Sequence, residues 1–333
     1  MDMTKKLEEL EKALEMGRKD FESGPYLAQK KFESTLNDTL GNAVTNIGHA
    51  LHSVPDKDDT KAYFFVHYTS ISALMSMLKP PSQSSFWRLY NSVHSNDPNE
   101  GGFLIRILSE KYRWLEEKEE AAIRYAYVAS FIFPDQDADS PGKNLNDNLV
   151  FWRAYGREGE GCSLLLRQLP SLPNLRKVLY GEEQAKCSME KLCPVLDVID
   201  RFIATLDTTQ EELRRMLINA VKRHTEKIRY LYKSEAYKYE QEYRFVFLES
   251  DIDDPVTIRC ESPSESGNPV RIRHYLEHEE LTINKLLITG SEIVIGPSVR
   301  HQHDVCYCIR KLLEEAELGG PIVTVSNIKY RKP

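Results

Sequence analysis

Cysteine is scarce and nowhere arranged for pairing: six residues, at 162, 187, 193, 260, 306 and 308, are spread through 333 positions with no CxxC. That excludes a disulfide framework, and the thiols read as reduced core or surface groups. No apolar run approaches the roughly 18 residues that a spanning helix needs. The N-terminal stretch MDMTKKLEELEKALEMGRKD carries acidic residues where a secretory leader needs an unbroken apolar segment. The expectation is a cytoplasmic protein with no membrane partner. Also missing are GxxxxGKS or GxxxxGKT, GxGxxG, GxSxG and HExxH. Phosphate-loop, dinucleotide-fold, serine-hydrolase and zincin readings therefore lose their usual support. Excess positive charge is lacking too: the net charge of −7 argues against a protein wrapped in nucleic acid, though not against a local basic patch.

What remains is ordinary globular composition, 41% hydrophobic and 29% charged, ample for a sizeable core. Leu7, Leu10 and Leu14, then Ala28, Phe32, Leu36, Leu40, Val44, Ile47 and Leu51, recur at three- and four-residue spacing. This predicts two N-terminal helices within 1–55, broken at Gly24 and Pro25. AYFFVHY (62–68) reads as a strand, Thr69 or Ser70 as a cap, and ISALMSMLK (71–79) as a short helix stopped by Pro80 and Pro81.

Further strands are expected at 86–91, 125–133, 161–167, 177–181, 242–249 and 256–262, with one or two at 286–296 and a last at 321–330. NDPNEGG (96–102) is turn chemistry, 103–123 a charged helix, 134–148 a surface loop, and LVFWRAYG a short helix. Residues 183–232 read as a helical insertion whose apolar stripe is Leu213, Met216, Leu217, Ala220, Val221, His224, Ile228 and Leu231. A C-terminal helix is expected over 303–317. Strands and helices do not alternate regularly, which favours a mixed or antiparallel α+β core of two packed sheets over a doubly wound one. The expected organisation is an N-terminal helical segment (1–55) and an α+β domain (62–330) carrying the insertion.

Candidate chemistry is dispersed. His67 closes the first core strand, the aromatics Trp87, Tyr90, Trp152 and Tyr155 follow, and Glu240 and Glu242 open a strand in YKYEQEYRF. Residues two apart on a strand point to one face, so both carboxylates project together as a paired edge. Each piece alone has a plainer reading: a hydrogen-bonded structural histidine, core aromatics, a solvated acidic rim. His301, His303, Asp304, Cys306 and Cys308 invite a metal reading through His303 and Cys306 at i, i+3. A helix N-terminus with Asp304 in its first turn and cysteines in the core is the favoured alternative. Between Leu213 and Lys233, seven cations (Arg214, Arg215, Lys222, Arg223, Lys227, Arg229, Lys233) face Glu226 alone, interleaved with Tyr230 and Tyr232. Such a run either tracks a phosphate backbone or is a solvated helix face.

Taken together, HYTSISALMSMLK, the NDPNE turn, NLVFWRAYG with GEGCSL, and YEQEYRFVF followed by IVIG resemble a widespread bacterial family. Its members share the order HYTS or HFTS, NDP, WxxY and YExEYR or YExEWR. The resemblance spans about residues 62–300 and leaves out the N-terminal helices and the 183–232 insertion. The pattern is in turn similar to the ADP-ribosyltransferase superfamily, which includes polymerases and DNA-modifying toxins. The resemblance implies NAD as substrate, with His67 on the adenosine ribose beside Tyr68 and Thr69, and Tyr90 or Tyr155 stacked on nicotinamide. It makes Glu242 the catalytic carboxylate and Glu240 the acceptor-contacting member of an ExE pair. HYTS stands where the polymerases carry HGS or HGT.

Oxocarbenium character at the ribose needs a fixed carboxylate, and a held dinucleotide makes attack effectively intramolecular. The expected function is an ADP-ribosyltransferase of toxin or defence type, with an antitoxin as a possible partner. Its acceptor is a macromolecule, a nucleic acid held at Arg223 and Lys227 being preferred to a protein. A noncatalytic nucleotide- or partner-binding module and an NAD glycohydrolase are the alternatives.

Overall fold

The structure, a computed structural model, describes residues 3–23, 30, 34, 36–38, 40–42, 63–80, 85–95, 97, 99–116, 126–133, 145–168, 175–190, 192–249, 258–260 and 273–330. The helices are α1 (Met3–Ser23), α2 (Ile71–Met77), α3 (Gly102–Lys111), α4 (Leu149–Ala154), α5 (Gly181–Met189) and α6 (Cys193–Ala204). Then come α7 (Glu211–Arg229), α8 (Ile283–Leu286) and α9 (Gln302–Glu315). The strands are β1 (Tyr63–Thr69), β2 (Phe86–Asn91), β3 (Ala126–Ile132), β4 (Cys162–Gln168), β5 (Leu175–Lys177) and β6 (Leu179–Tyr180). β7 (Tyr232–Lys233), β8 (Glu242–Leu248), β9 (Ile258–Cys260), β10 (His274–Thr282), β11 (Glu292–Ile295) and β12 (Ile322–Val325) complete them. The fold is thus mixed α+β with a mostly antiparallel sheet.

Two compact units result: Met1–Val54, Ser95–Arg124 and Arg176–Tyr239 form one, and Pro55–His94, Tyr125–Leu175 and Glu240–Pro333 the other. The first is helical. Leu10 and Leu14 of α1, and the helical Leu36 and Leu40, are buried, as the three- and four-residue spacing requires. Leu213, Leu217, Ala220, Val221, His224 and Ile228 are buried along α7, with Met216 half-buried. The helix expected over 103–123 ends at Lys111. Tyr112 leaves helical geometry at φ −112, ψ 78, and its hydroxyl donates to Asp197 at 2.7 Å. KVLYG is likewise split at Val178 into β5 and β6. The break at Gly24 and Pro25, and most of the 134–148 loop, lie outside the described residues.

The second unit holds the sheet, in the order β12-β11-β4-β1-β3-β2-β10-β9, with β8 on the other edge of β3. Only β11 and β12 run parallel within this path. The two separate sheets expected from the sequence are instead two wings of one sheet that forks at β3. Register explains the fork. Phe133 donates its N–H to the Gln241 carbonyl at 3.0 Å, so odd-numbered residues of β3 spend their backbone groups on β8 and even-numbered ones face the opposite edge. On that edge Val128 opposes Tyr90 of β2 and Ile132 opposes Val66 of β1. Ser130, between them, faces the gap.

The two faces of the forked region differ. Trp87, Leu89, Ala129, Phe131, Tyr243 and Phe245 are each at most 5% exposed and form one face. Phe65 of β1 packs there against Phe131, Phe133 and Tyr243, with ring centroids 6.4, 5.0 and 6.1 Å away. Arg88, Tyr90, Val128, Ser130, Glu242 and Val246 project from the other face and are only half-buried. β10 (HYLEHEELT) was not anticipated. It opposes β2, pairing Tyr275 with Tyr90 and Glu277 with Arg88, which extends the half-buried face.

Candidate functional site

His67 is placed by β1 at the mouth of the fork. Its Nδ1 lies 2.9 Å from the Ser130 carbonyl, which only accepts, so Nδ1 carries the proton and Nε2 is the acceptor. The ring stands edge-on to Trp87 at 4.7 Å and against Phe131 at 5.7 Å. Burial holds its pKa down from 6.5 to about 4, outweighing the bond to Ser130, so the imidazole is neutral at neutral pH. Ser70 is the residue that caps α2, its Oγ accepting from the Ala73 N–H at 3.0 Å; Thr69 ends β1, half-buried.

Glu242 opens β8 opposite Ile132, on the half-buried face. Arg244, two residues on and 2% exposed, donates from Nε and Nη2 to its Oε2 at 3.1 and 2.8 Å. A charge this well buried is tolerated because it is paired, and the pairing fixes the carboxylate in orientation. Glu240 corrects an expectation. It lies not on the strand but at the end of a 3-10 turn (Glu235–Glu240), and Gln241 turns the chain with φ 44. Strand alternation therefore does not relate Glu240 to Glu242. Glu240 is 3% exposed and accepts the Tyr155 hydroxyl.

Tyr155 is committed in the same way, its ring stacked on Phe151 at 6.3 Å and 25°. Tyr68 is a core residue: 5% exposed, set edge-on to Trp152 at 4.8 Å, its hydroxyl donating to the Leu145 carbonyl and accepting from the Asn148 N–H at 3.0 Å. Burial first pushes its pKa up. Its side chain is taken up in packing with Val66, Ile132, Phe151 and Trp152.

Tyr90 shares the half-buried face with Glu242, whereas Trp87, by alternation, lies on the buried one beside His67. The structure thus sets Tyr90 and Glu242 on one face, Tyr90 level with Val246 and so further along β8 than Glu242, and takes Tyr68, Tyr155 and Glu240 into packing. Sequence reasoning missed Arg88, Arg244 and Tyr275. The Arg88 guanidinium lies 4.3 Å from the Tyr275 ring centroid and Arg273 lies 5.7 Å from that of Tyr90, the two rings being 6.1 Å apart. The two-residue offset of Arg88 from Tyr90, and of Arg244 from Glu242, was the available signal.

The supports are polar. Asp147 accepts from Trp152 Nε1 at 2.8 Å and Ser326 Oγ at 2.6 Å through Oδ1, and from the Asn327 N–H at 2.8 Å through Oδ2. This clasp holds α4, hence Tyr155, to the segment after β12. Gly161 sits where a Cβ would lie 2.2 Å from the Thr69 carbonyl, so the GEGCSL turn needs glycine to reach the end of β1.

The other expectations fare differently. The run at 213–233 is no continuous cationic track: Arg229 is 2% exposed, bonded to the Gly101 carbonyl at 2.6 Å and paired with Glu226, and Lys233 is buried 4.0 Å from Glu100. Tyr230 and Tyr232, at 0% and 1% exposure, are closed to stacking. Arg223 is exposed on α7, in the helical unit; the Lys227 side chain lies outside the described residues. Near 301–308 the groups diverge: His301 and Asp304 are on the surface, while Cys306 is buried with Sγ 3.6 Å from the Thr324 carbonyl. Among the described residues no cluster of three or more His, Cys, Asp or Glu could hold a metal.

Fold and site together define a mixed α+β protein with a forked, mostly antiparallel sheet and an arginine-, tyrosine- and carboxylate-bearing face. No protein-family model, curated protein or solved structure matches the chain. Among the described residues no helix is long and apolar enough to cross a membrane.

Proposed function

We propose that the forked sheet is an ADP-ribosyltransferase-like core that binds NAD and cleaves its nicotinamide–ribose bond, passing ADP-ribose to a macromolecule. The observation that carries this reading is the single half-buried face on which Glu242, held by Arg244, stands with Tyr90 and Arg88 at the mouth of the fork. Such a face offers what a dinucleotide needs: guanidinium for pyrophosphate, an aromatic for a flat ring, and an anion near the scissile bond.

As the bond breaks, positive charge develops on the ribose, and the Glu242 carboxylate stabilises it without taking up a proton. The electron pair of the broken bond leaves with nicotinamide, and the acceptor's nucleophile forms the new bond at the same carbon and gives its proton up to solvent. Tyr90 takes the nicotinamide-stacking role rather than Tyr155, whose hydroxyl is occupied by Glu240. His67, neutral and set against Trp87 and Phe131 on the opposite, buried face, holds β1 to Ser130 and does not touch the dinucleotide on this reading.

The test is nicotinamide release and transfer of label from NAD by the whole chain and by Glu242→Gln. Release should fall at least about a hundredfold in the variant. Release without transfer would make the protein an NAD glycohydrolase. No release from folded wild-type protein would sink the enzymatic reading and leave a nucleotide-binding module.

A further inference from the structure

Beyond Tyr90 the half-buried face continues across β10 to β9 with a composition unlike the rest of the chain. Arg259 opposes Tyr275 and pairs with Glu277 at 3.2 Å, and Arg273 and Arg88 lie over the rings of Tyr90 and Tyr275. Arg88, Arg244, Arg259 and Arg273 thus share a face with only Glu242 and Glu277 as acids among its described side chains, in a chain of net charge −7.

We infer that the β2–β10–β9 part of this face binds a single-stranded nucleic acid, the acceptor for the proposed chemistry. What is done to the strand rests on the NAD reading; the binding does not. Charge complementarity supplies the first argument, since four guanidinium groups against two carboxylates leave this face net positive in a chain of net charge −7. The second is that two of the cations are guanidinium groups backed by tyrosine rings, Arg88 by the buried Tyr275 at 4.3 Å and Arg273 by Tyr90 at 5.7 Å, so the guanidinium groups rather than the rings are offered to unpaired bases. Third, five strands at ordinary spacing give a surface about 19 Å across from β8 to β9. A strand lying over β9 and β10 could therefore extend an end towards Glu242. This surface replaces the α7 run, whose tyrosines and two of whose cations are buried.

Fluorescence anisotropy with labelled single-stranded RNA, single-stranded DNA of the same sequence and the annealed duplex tests this, with the whole chain and no NAD present. The outcome is thus independent of whether Glu242 supports catalysis. One of the two single strands should bind in preference to the duplex. Arg259→Glu with Arg273→Glu, both on exposed residues, should weaken binding at least tenfold and flatten the log–log salt slope by about 1.4. An unchanged thermal midpoint excludes misfolding. No binding, equal competition by polyglutamate, or loss only on Arg215→Glu with Arg223→Glu would each overturn the inference.

Discussion

At the scale of single residues, two buried groups govern what can be measured. The His67 imidazole is held near 4 by burial against 6.5 when free, so as pH falls below 6.5 the unfolded chain takes up a proton that the folded chain refuses. Its contribution is unimpaired above about 6.5, declines on acidification and levels off near 4. Urea midpoints followed over that window should fall more steeply for wild type than for His67→Asn, which keeps a donor for Ser130 but does not titrate. Arg244 behaves oppositely, as a charge that must keep its partner. Arg244→Leu would strand Glu242 and cost about 3 kcal/mol, read as a lower urea midpoint at unchanged slope. Glu242→Gln keeps an acceptor for the guanidinium but removes its counter-charge, and should cost about 2 kcal/mol, so the activity comparison is made on protein shown to be folded.

Among the elements, the turn from Glu240 into β8 carries the clearest strain. Gln241 has φ 44, a left-handed conformation that glycine adopts freely. Gln241→Gly should stabilise by about 0.5 kcal/mol and Gln241→Val should destabilise by about 1 kcal/mol or more, as thermal midpoints would show. That turn also marks where sequence reasoning stopped. β1, the Ser70 cap, β2, β3, β4, α4 and α9 were legible because their periodicity, capping and branching residues are local signals. A positive φ at a glutamine leaves no such mark, so Glu240 was read onto the strand. β10 was missed because HYLEHEELT is acidic and takes its order from its neighbours on the sheet. Of the candidate site, the residue types His67, Tyr90 and Glu242 could be named from the sequence, but not which face of the sheet each takes. That Tyr68 is spent on Leu145 and Asn148, and His67 on Ser130, is fixed by partners about 60 to 80 positions away, which no local pattern reveals.

For the whole molecule, the thiols offer a direct check on the layout. Cys187, Cys260 and Cys308 are exposed, Cys193 is intermediate, and Cys162 and Cys306 are buried. Burial pushes the Cys162 thiol up, so it should react with a disulfide reagent only on unfolding. Three rapid equivalents, one slower and two released by denaturant are expected, with no change in thermal midpoint on adding reductant. The fork itself has a further consequence. Its gap is bounded by hydrogen-bonded backbone of β1, β2 and β3, so its width is set by strand register and does not yield as a loop would. It acts as a fixed gauge. On the proposed function, exchanging the surrounding loops would change what is presented while the point at which it meets Glu242 would stay constant, so specificity and chemistry would vary in separate parts of the chain.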